Sequence, residues 1–149
     1  MSQKLPQVYT EIIIKSSKEK VWQTLLDFQN YPNWNSFIKK IEGNSALGGK
    51  IKAKMYPPVG LPLAFEGTIC RNKPTKTFAW NGYLVARWLF EPTHIFEIEE
   101  KSENEILFIH REEYEGFIIP FVKFMLPTLV GKGFEVMNED LKRFLETNN

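Results

Sequence analysis

The chain's two histidines, a glutamate and a tyrosine fall at even spacing on two stretches that read as neighbouring strands. Across residues 106–115, Phe108, His110, Glu112 and Tyr114 alternate onto one face, with Leu107, Ile109, Arg111 and Glu113 opposite. On the preceding stretch His94, Phe96 and Ile98 alternate the same way against Ile95, Glu97 and Glu99. Phe108 and Tyr114 mark their face as the inward one, which takes His110 and Glu112 inside with them. A buried carboxylate is costly unless paired. His110 is the nearest candidate partner for Glu112, and Arg87 is another. Histidine changes charge near neutral pH and tyrosine can donate a hydrogen bond. His110, Glu112 and His94 are therefore the candidate catalytic residues of an acid–base site. The same groups could instead orient a ligand or satisfy one another structurally. Their chemistry suits zinc, but nothing like H-E-x-x-H spacing is present, so no metal is expected.

Two paired strands and a covering layer are needed to bring these side chains together. Residues 8–15 are β-rich and read as the first strand. Ser16 reads as the N-cap of a following helix, with Glu19 at the capping-box position. Val21, Trp22, Leu25 and Phe28 form its apolar stripe. Tyr31-Pro32 and Asn33-Trp34 then turn the chain, with room for a short second helix. Strands follow at 37–43, 50–56, 63–72, 77–84, 87–100 and 105–115, with Pro92 hinting at an edge or a bulge in the sixth. The Glu103-Asn104 turn would set Phe96 and Ile98 beside Phe108 and Ile106, with His94 near His110. Beyond Pro120 a helical pattern takes over, with Phe134, Met137, Leu141 and Phe144 on one face. Gly131 and Gly133 lie within it and mark a bend or a close approach. The pattern is α+β: an antiparallel sheet of about seven strands, two short helices after the first strand, and a long C-terminal helix. No repeat or linker interrupts it, so residues 1–149 read as one domain.

Composition narrows the function classes. Aromatic residues make up 14% of the chain, enough for a bulky core and for an aromatic-lined pocket. A formal net charge of +1 gives no global field to steer polyanions. Lys50, Lys52 and Lys54 share one strand face without interleaved aromatics, so no nucleic-acid partner is expected. The single cysteine, Cys70, excludes an internal disulfide framework. The start, MSQKLPQVY, holds no apolar h-region, and the greasiest run, 116–131, is broken by Pro120, Lys123 and Pro127. The expectation is a cytoplasmic protein without stable membrane insertion, a monomer or a homodimer. G-x-S-x-G, P-loop and dinucleotide fingerprints are all missing, and no cofactor is expected.

Three local patterns carry a family resemblance: IKSSKEKVWQTLLDFQNYPNW at 14–34, THIFE at 93–97 with IHREEYEG at 109–116, and GFEVMNEDL at 133–141. Together they resemble the START-like, or SRPBCC, helix-grip superfamily, and most nearly its polyketide cyclase/dehydrase and lipid-transport group. The resemblance implies a sheet that grips the long helix around a cavity. It transfers no catalytic signature. On that fold Trp80, Phe78, Phe96, Phe108, Tyr114 and Arg87 are the candidate ligand-binding residues of the sheet. Phe121, Met125, Phe134 and Met137 are those of the C-terminal segment. Residues 57–62 and 117–121 would flank the cavity mouth as a gate. The implied function is binding of a hydrophobic or aromatic small molecule such as a lipid, polyketide or isoprenoid. A cofactor-free cyclase or dehydratase using His/Glu proton transfer is the alternative, and a stress-type protein-partner module a further one.

Overall fold

The computed structural model describes residues 4–148; residues 1–3, part of the stretch read for an h-region, lie outside it. The element order is β1 (Gln7–Ile14), α1 (Lys18–Leu26), a 3₁₀ helix (Phe28–Asn33), β2 (Ile38–Gly43), β3 (Lys50–Met55), β4 (Leu63–Lys73), β5 (Thr77–Gly82), β6 (Glu91–Ser102), β7 (Glu105–Glu115), α2 (Ile119–Val122), a π-helical turn (Pro127–Gly131) and α3 (Lys132–Thr147). All strands join one antiparallel sheet in the order β1-β7-β6-β5-β4-β3-β2. This is the helix-grip architecture, a curled sheet holding α3. Among the described residues no helix is long and apolar enough to cross a membrane.

Alternation places the core. On β3, Ile51 and Ala53 are buried while Lys50, Lys52 and Lys54 face water. Phe134, Met137, Leu141 and Leu145 form the buried stripe of α3, with Phe144 half-buried against Trp34. Val21, Trp22 and Leu25 of α1 close the same core, where Trp22 meets Phe78 edge to face. Polar ties fix α3 on the sheet. The Ser36 backbone N–H and hydroxyl both donate to Asp140. Lys142 donates to the carbonyl of Ile13, and the Lys15 N–H to Glu146.

Several local expectations are corrected. The N-cap of α1 is Ser17, whose hydroxyl accepts from the Lys20 N–H. The Ser16 N–H bonds the Ile14 carbonyl, which holds Ser16 in the turn and starts the helix one residue later. The sixth strand begins at Glu91, so Arg87 lies in the loop before it. Pro92 is neither on an edge nor at a bulge: β6 is flanked by β5 and β7, and Pro92 occupies the strand's second position, beyond the last β5 pair. The β6–β7 register also differs by two residues from the expected one. His94 faces Glu112, Phe96 faces His110 and Ile98 faces Phe108. An irregularity between Glu100 and Ser102 sets this register. The tight turn pairs Ser102 with Glu105, and continuing that count would put inward residues opposite outward ones. The extra residue, Lys101, restores matching faces.

The C-terminal helix is not continuous from Pro120. α2 ends at Val122, and a π turn opens the main helix. Gly133 marks a close approach: a Cβ there would lie 2.3 Å from the Phe37 ring. Replacing glycine by alanine inside a helix gains about 1 kcal/mol, whereas overpacking a core costs about 1–3 kcal/mol. With Phe37 only 3% exposed, the ring has little room to yield. Gly133→Ala is therefore expected to lower stability by about 1 kcal/mol in urea unfolding, against the helix-propensity trend. A stabilised variant would mean that the ring moves freely.

Candidate functional site

The sheet's concave face carries a polar chain in otherwise apolar surroundings. His94 Nδ1 lies 3.2 Å from Glu112 Oε2, and His94 Nε2 lies 2.7 Å from His110 Nε2. His110 Nδ1 lies 2.9 Å from Asn138 Oδ1. Asn138 Nδ2 donates to Thr10 Oγ1 at 2.9 Å, and Thr10 donates to the His110 carbonyl at 2.7 Å. Strand pairing explains the assembly, since His94 is opposite Glu112 and Thr10 is opposite His110. Asn138 reaches in from α3.

The proton positions follow from the far end of the chain. A carbonyl oxygen only accepts, so the Thr10 hydroxyl must donate to it. Thr10 then accepts from the Asn138 amide N–H, which leaves the Asn138 oxygen facing His110. His110 Nδ1 consequently carries a proton. Burial first, and the neighbouring His94 second, lower the His110 pKa well below the ordinary histidine value, so the ring is neutral and its Nε2 is bare. His94 must donate from its own Nε2. At the near end of the chain, His94 Nδ1 and Glu112 Oε2 face each other at the cavity. The backbone of β7 thus dictates, through Thr10 and Asn138, the tautomer of both histidines.

Ring packing holds the imidazoles in place. His94 stacks on Trp80 with centroids 4.5 Å apart, and His110 stacks on Phe134 at 3.9 Å. Tyr114 is buried at the same end, and its hydroxyl lacks an aligned hydrogen bond. Burial, then the nearby Glu112 carboxylate, push its pKa far above the phenol range and keep it protonated.

A cavity of about 340 Å³ opens beside this chain. Trp80, Phe134, Phe37 and Phe65 form its inner wall, and Leu126, Leu129 and Val130 cover it from the C-terminal segment. Val59, Gly60 and Leu61 on one side and Tyr83 and Leu84 on another border its opening. His94 and Glu112 are its one ionisable pair away from that opening.

The structure brings together some of the expected site residues and separates others. His94, Glu112, Trp80 and Phe134 border the cavity. His110 lies behind His94, fully buried, and reaches the cavity only through it. Phe78, Phe96, Phe108 and Met137 are core residues: Phe78 packs on Trp22 and Phe28, and Phe96 stacks on Phe108. Tyr114 packs on Phe90, which takes the place at the wall. Arg87 is exposed on the loop before β6, bonded to Asn81 and paired with Glu91, and is no partner of Glu112. Phe121 and Met125 point outward, because the break after α2 turns that segment away from the core. Of the two expected gate segments, 57–62 borders the opening, while Phe117 and Phe121 do not.

Sequence reasoning missed Thr10 and Asn138. Each carried a signal, being the one polar residue on an apolar face: Thr10 among Val8, Ile12 and Ile14, and Asn138 among Phe134, Leu141 and Leu145.

Comparison with known proteins agrees with this architecture. The aromatase/cyclase Zhui from Streptomyces sp. R1128 superposes with a TM-score of 0.77 at 10% identity, covering 97% of this chain and 96% of that one. A START superfamily protein from Mycobacterium smegmatis gives 0.75 at 18% identity, over 96% and 99% of the two chains. The di-domain aromatase/cyclase StfQ of the steffimycin biosynthetic pathway gives 0.75 at 9% identity over 97% of this chain, which spans only 51% of that protein. No curated protein matches in sequence. At these identities the likeness is one of fold. The family model described as polyketide cyclase / dehydrase and lipid transport matches residues 6–146, nearly the whole length, and the chain belongs to that family.

Proposed function

We propose that the chain, acting as one unit, binds a hydrophobic or aromatic small molecule of lipid, polyketide or isoprenoid type between its sheet and α3. The observation that carries this reading is the contrast within the cavity: apolar and aromatic walls around about 340 Å³, with a single ionisable pair at the inner end. That volume and lining suit a small ligand oriented by one polar contact. Glu112 lies at the cavity wall beside His94, which makes its carboxyl group the natural contact for a ligand hydroxyl.

Native mass spectrometry of gently purified protein, compared with the denatured mass, tests occupancy directly. Extra mass lost on denaturation supports the reading. Failure of 2-naphthol, naphthalene and fatty-acid probes to bind at millimolar concentration would refute it. Orientation by Glu112 has its own test. Glu112→Gln is expected to weaken 2-naphthol binding about tenfold, worth about 1.4 kcal/mol, with naphthalene binding unchanged. Equal losses for both probes would mean that Glu112 shapes the cavity without reading a hydroxyl.

A second reading rests on the contact between His94 and Glu112. An imidazole in contact with a carboxyl group at the cavity wall can exchange a proton with a bound carbonyl or leaving hydroxyl, as cyclisation and dehydration require. Zhui and StfQ are described as aromatase/cyclases, in keeping with this chemistry. In this reading Glu112 and His94 transfer the proton, His110 holds the His94 tautomer, and Glu112→Gln abolishes turnover while retaining binding.

A further inference from the structure

Four aromatic side chains, Trp88, Phe117, Phe121 and Phe124, are between 66% and 75% exposed. They come from two segments that touch. The Phe117 N–H donates to the Trp88 carbonyl at 2.8 Å and the Ile118 N–H to the Leu89 carbonyl at 3.2 Å, which seats the loop before β6 against the start of the C-terminal segment. Phe117 and Phe121, one helical turn apart, pack ring to ring with centroids 6.1 Å apart, and Phe124 follows three residues on. The rings form a strip, not scattered singletons, and an exposed apolar strip marks an interaction surface.

The charges at its two ends select the partner. Glu115 closes β7 just before Phe117, and Lys123 lies between Phe121 and Phe124 at the far end. Both are exposed, and among the described residues neither has an ion-pair partner. Glu115 stands opposite Glu91 in the sheet, and Arg87, the base of the adjoining loop, is already paired with Glu91 and bonded to Asn81. A surface that is negative at one end, aromatic in the middle and positive at the other is complementary to itself after a half-turn. In a two-fold contact residue i meets j and j meets i, so Glu115 of each copy would meet Lys123 of the other over a shared aromatic centre. A partner of a single charge sign would set one of the two ends against its own sign. Size agrees: at about 200 Å² for a whole aromatic side chain, the exposed parts of the four rings amount to roughly 550 Å² per copy, or about 1,100 Å² for the pair. That clears the roughly 1,000 Å² a specific contact needs and stays below the standard size, as a weak, concentration-dependent dimer requires.

We propose that the chain forms a two-fold homodimer through this strip, with Trp88, Phe117, Phe121 and Phe124 at its centre and two Glu115–Lys123 ion pairs at its rim. None of these six residues lines the cavity, so the dimer does not depend on what the cavity carries.

Sedimentation velocity of the full chain, from low micromolar to millimolar concentration, should show a monomer–dimer equilibrium. Phe121→Ser/Phe124→Ser should weaken it at least tenfold. Glu115→Lys and Lys123→Glu should each do the same, because either change sets like charges against each other at both ends of the contact. Mixing these two single variants is the sharpest test. One then carries two lysines and the other two glutamates at the paired positions, so the mixture should recover association as a heterodimer within a few-fold of wild-type strength. The double variant Glu115→Lys/Lys123→Glu should likewise recover the homodimer. All these positions are exposed, and the urea midpoints are expected to stay unchanged. A monomer at every concentration, a dimer indifferent to the serine changes, or no recovery on mixing would overturn the proposal.

Discussion

Phe134→Ala is expected to destabilise the protein by about 3–5 kcal/mol, the range for emptying a buried aromatic position. Phe134 is fully buried and stacks on His110 at 3.9 Å, with His94 and Phe37 rings at 4.9 and 6.0 Å. One ring therefore seals the cavity's inner wall and clamps both imidazoles. The neighbours cannot collapse easily into the space: Gly133, beside it, already sits against the Phe37 ring, and the histidines are tied to Glu112 and Asn138. The loss should appear in urea unfolding as a lower midpoint at constant slope. The cavity should also deepen toward His110, so that the variant accepts an aromatic probe one ring larger than wild type does. A loss below 1 kcal/mol would mean that α3 settles onto the sheet and that the wall is less rigid than these contacts imply.

The sequence made the faces legible and left the registers hidden. Alternation is a local property, so the inward set His94, Phe96, Ile98, Phe108, His110 and Glu112 could be read directly. Which of these meet depends on a single irregularity at Lys101, in a stretch of charged residues whose pattern carries no sign of it. The helix-grip fold was legible because patterns spread along the chain agreed, from the α1 stripe to the face of α3. The cavity wall was less so. Aromatic residues on an inward face look alike whether they meet another ring or empty space. Phe78 and Phe96 are enclosed among rings, whereas Phe65 and Phe90 each meet a ring and also border space. Phe121 and Met125 were misplaced because a helix running on from Pro120 would carry them into the cavity wall, whereas the break between α2 and the π turn leaves them exposed. Asn138 needed a partner 28 residues away, and no spacing rule connects them.

Lowering the pH from 7 to 5 is expected to destabilise the fold by about 2 kcal/mol through His110, at roughly 1.4 kcal/mol per pH unit for one proton. The direction follows from the depressed His110 pKa, caused first by burial and then by His94. Below about pH 6.5 the unfolded chain takes up a proton at this position that the folded chain refuses. The stability is thus fully present above the unfolded value and is lost as pH falls toward the folded one. The hydrogen-bond chain shows why the refusal is firm. A second proton on His110 would sit on Nε2, facing the Nε2–H of His94 at 2.7 Å. Relief requires His94 to give up that proton, so charging one ring rewires the other. Comparing wild type with His110→Met isolates the contribution, because the variant loses this part of the slope and keeps those of other groups. Asn138→Asp should reverse it. A carboxylate opposite His110 Nδ1 favours the imidazolium and raises the folded pKa, so this contribution is present at low pH and is lost as pH rises. With two histidines in the chain, ¹⁵N spectra of the ring nitrogens read both tautomers without crowding. They should show His110 protonated on Nδ1 and bare on Nε2 in the wild type at pH 7, and protonated on both in Asn138→Asp. If the wild-type spectrum showed His110 protonated on Nε2 instead, Thr10 and Asn138 would not be setting the proton order.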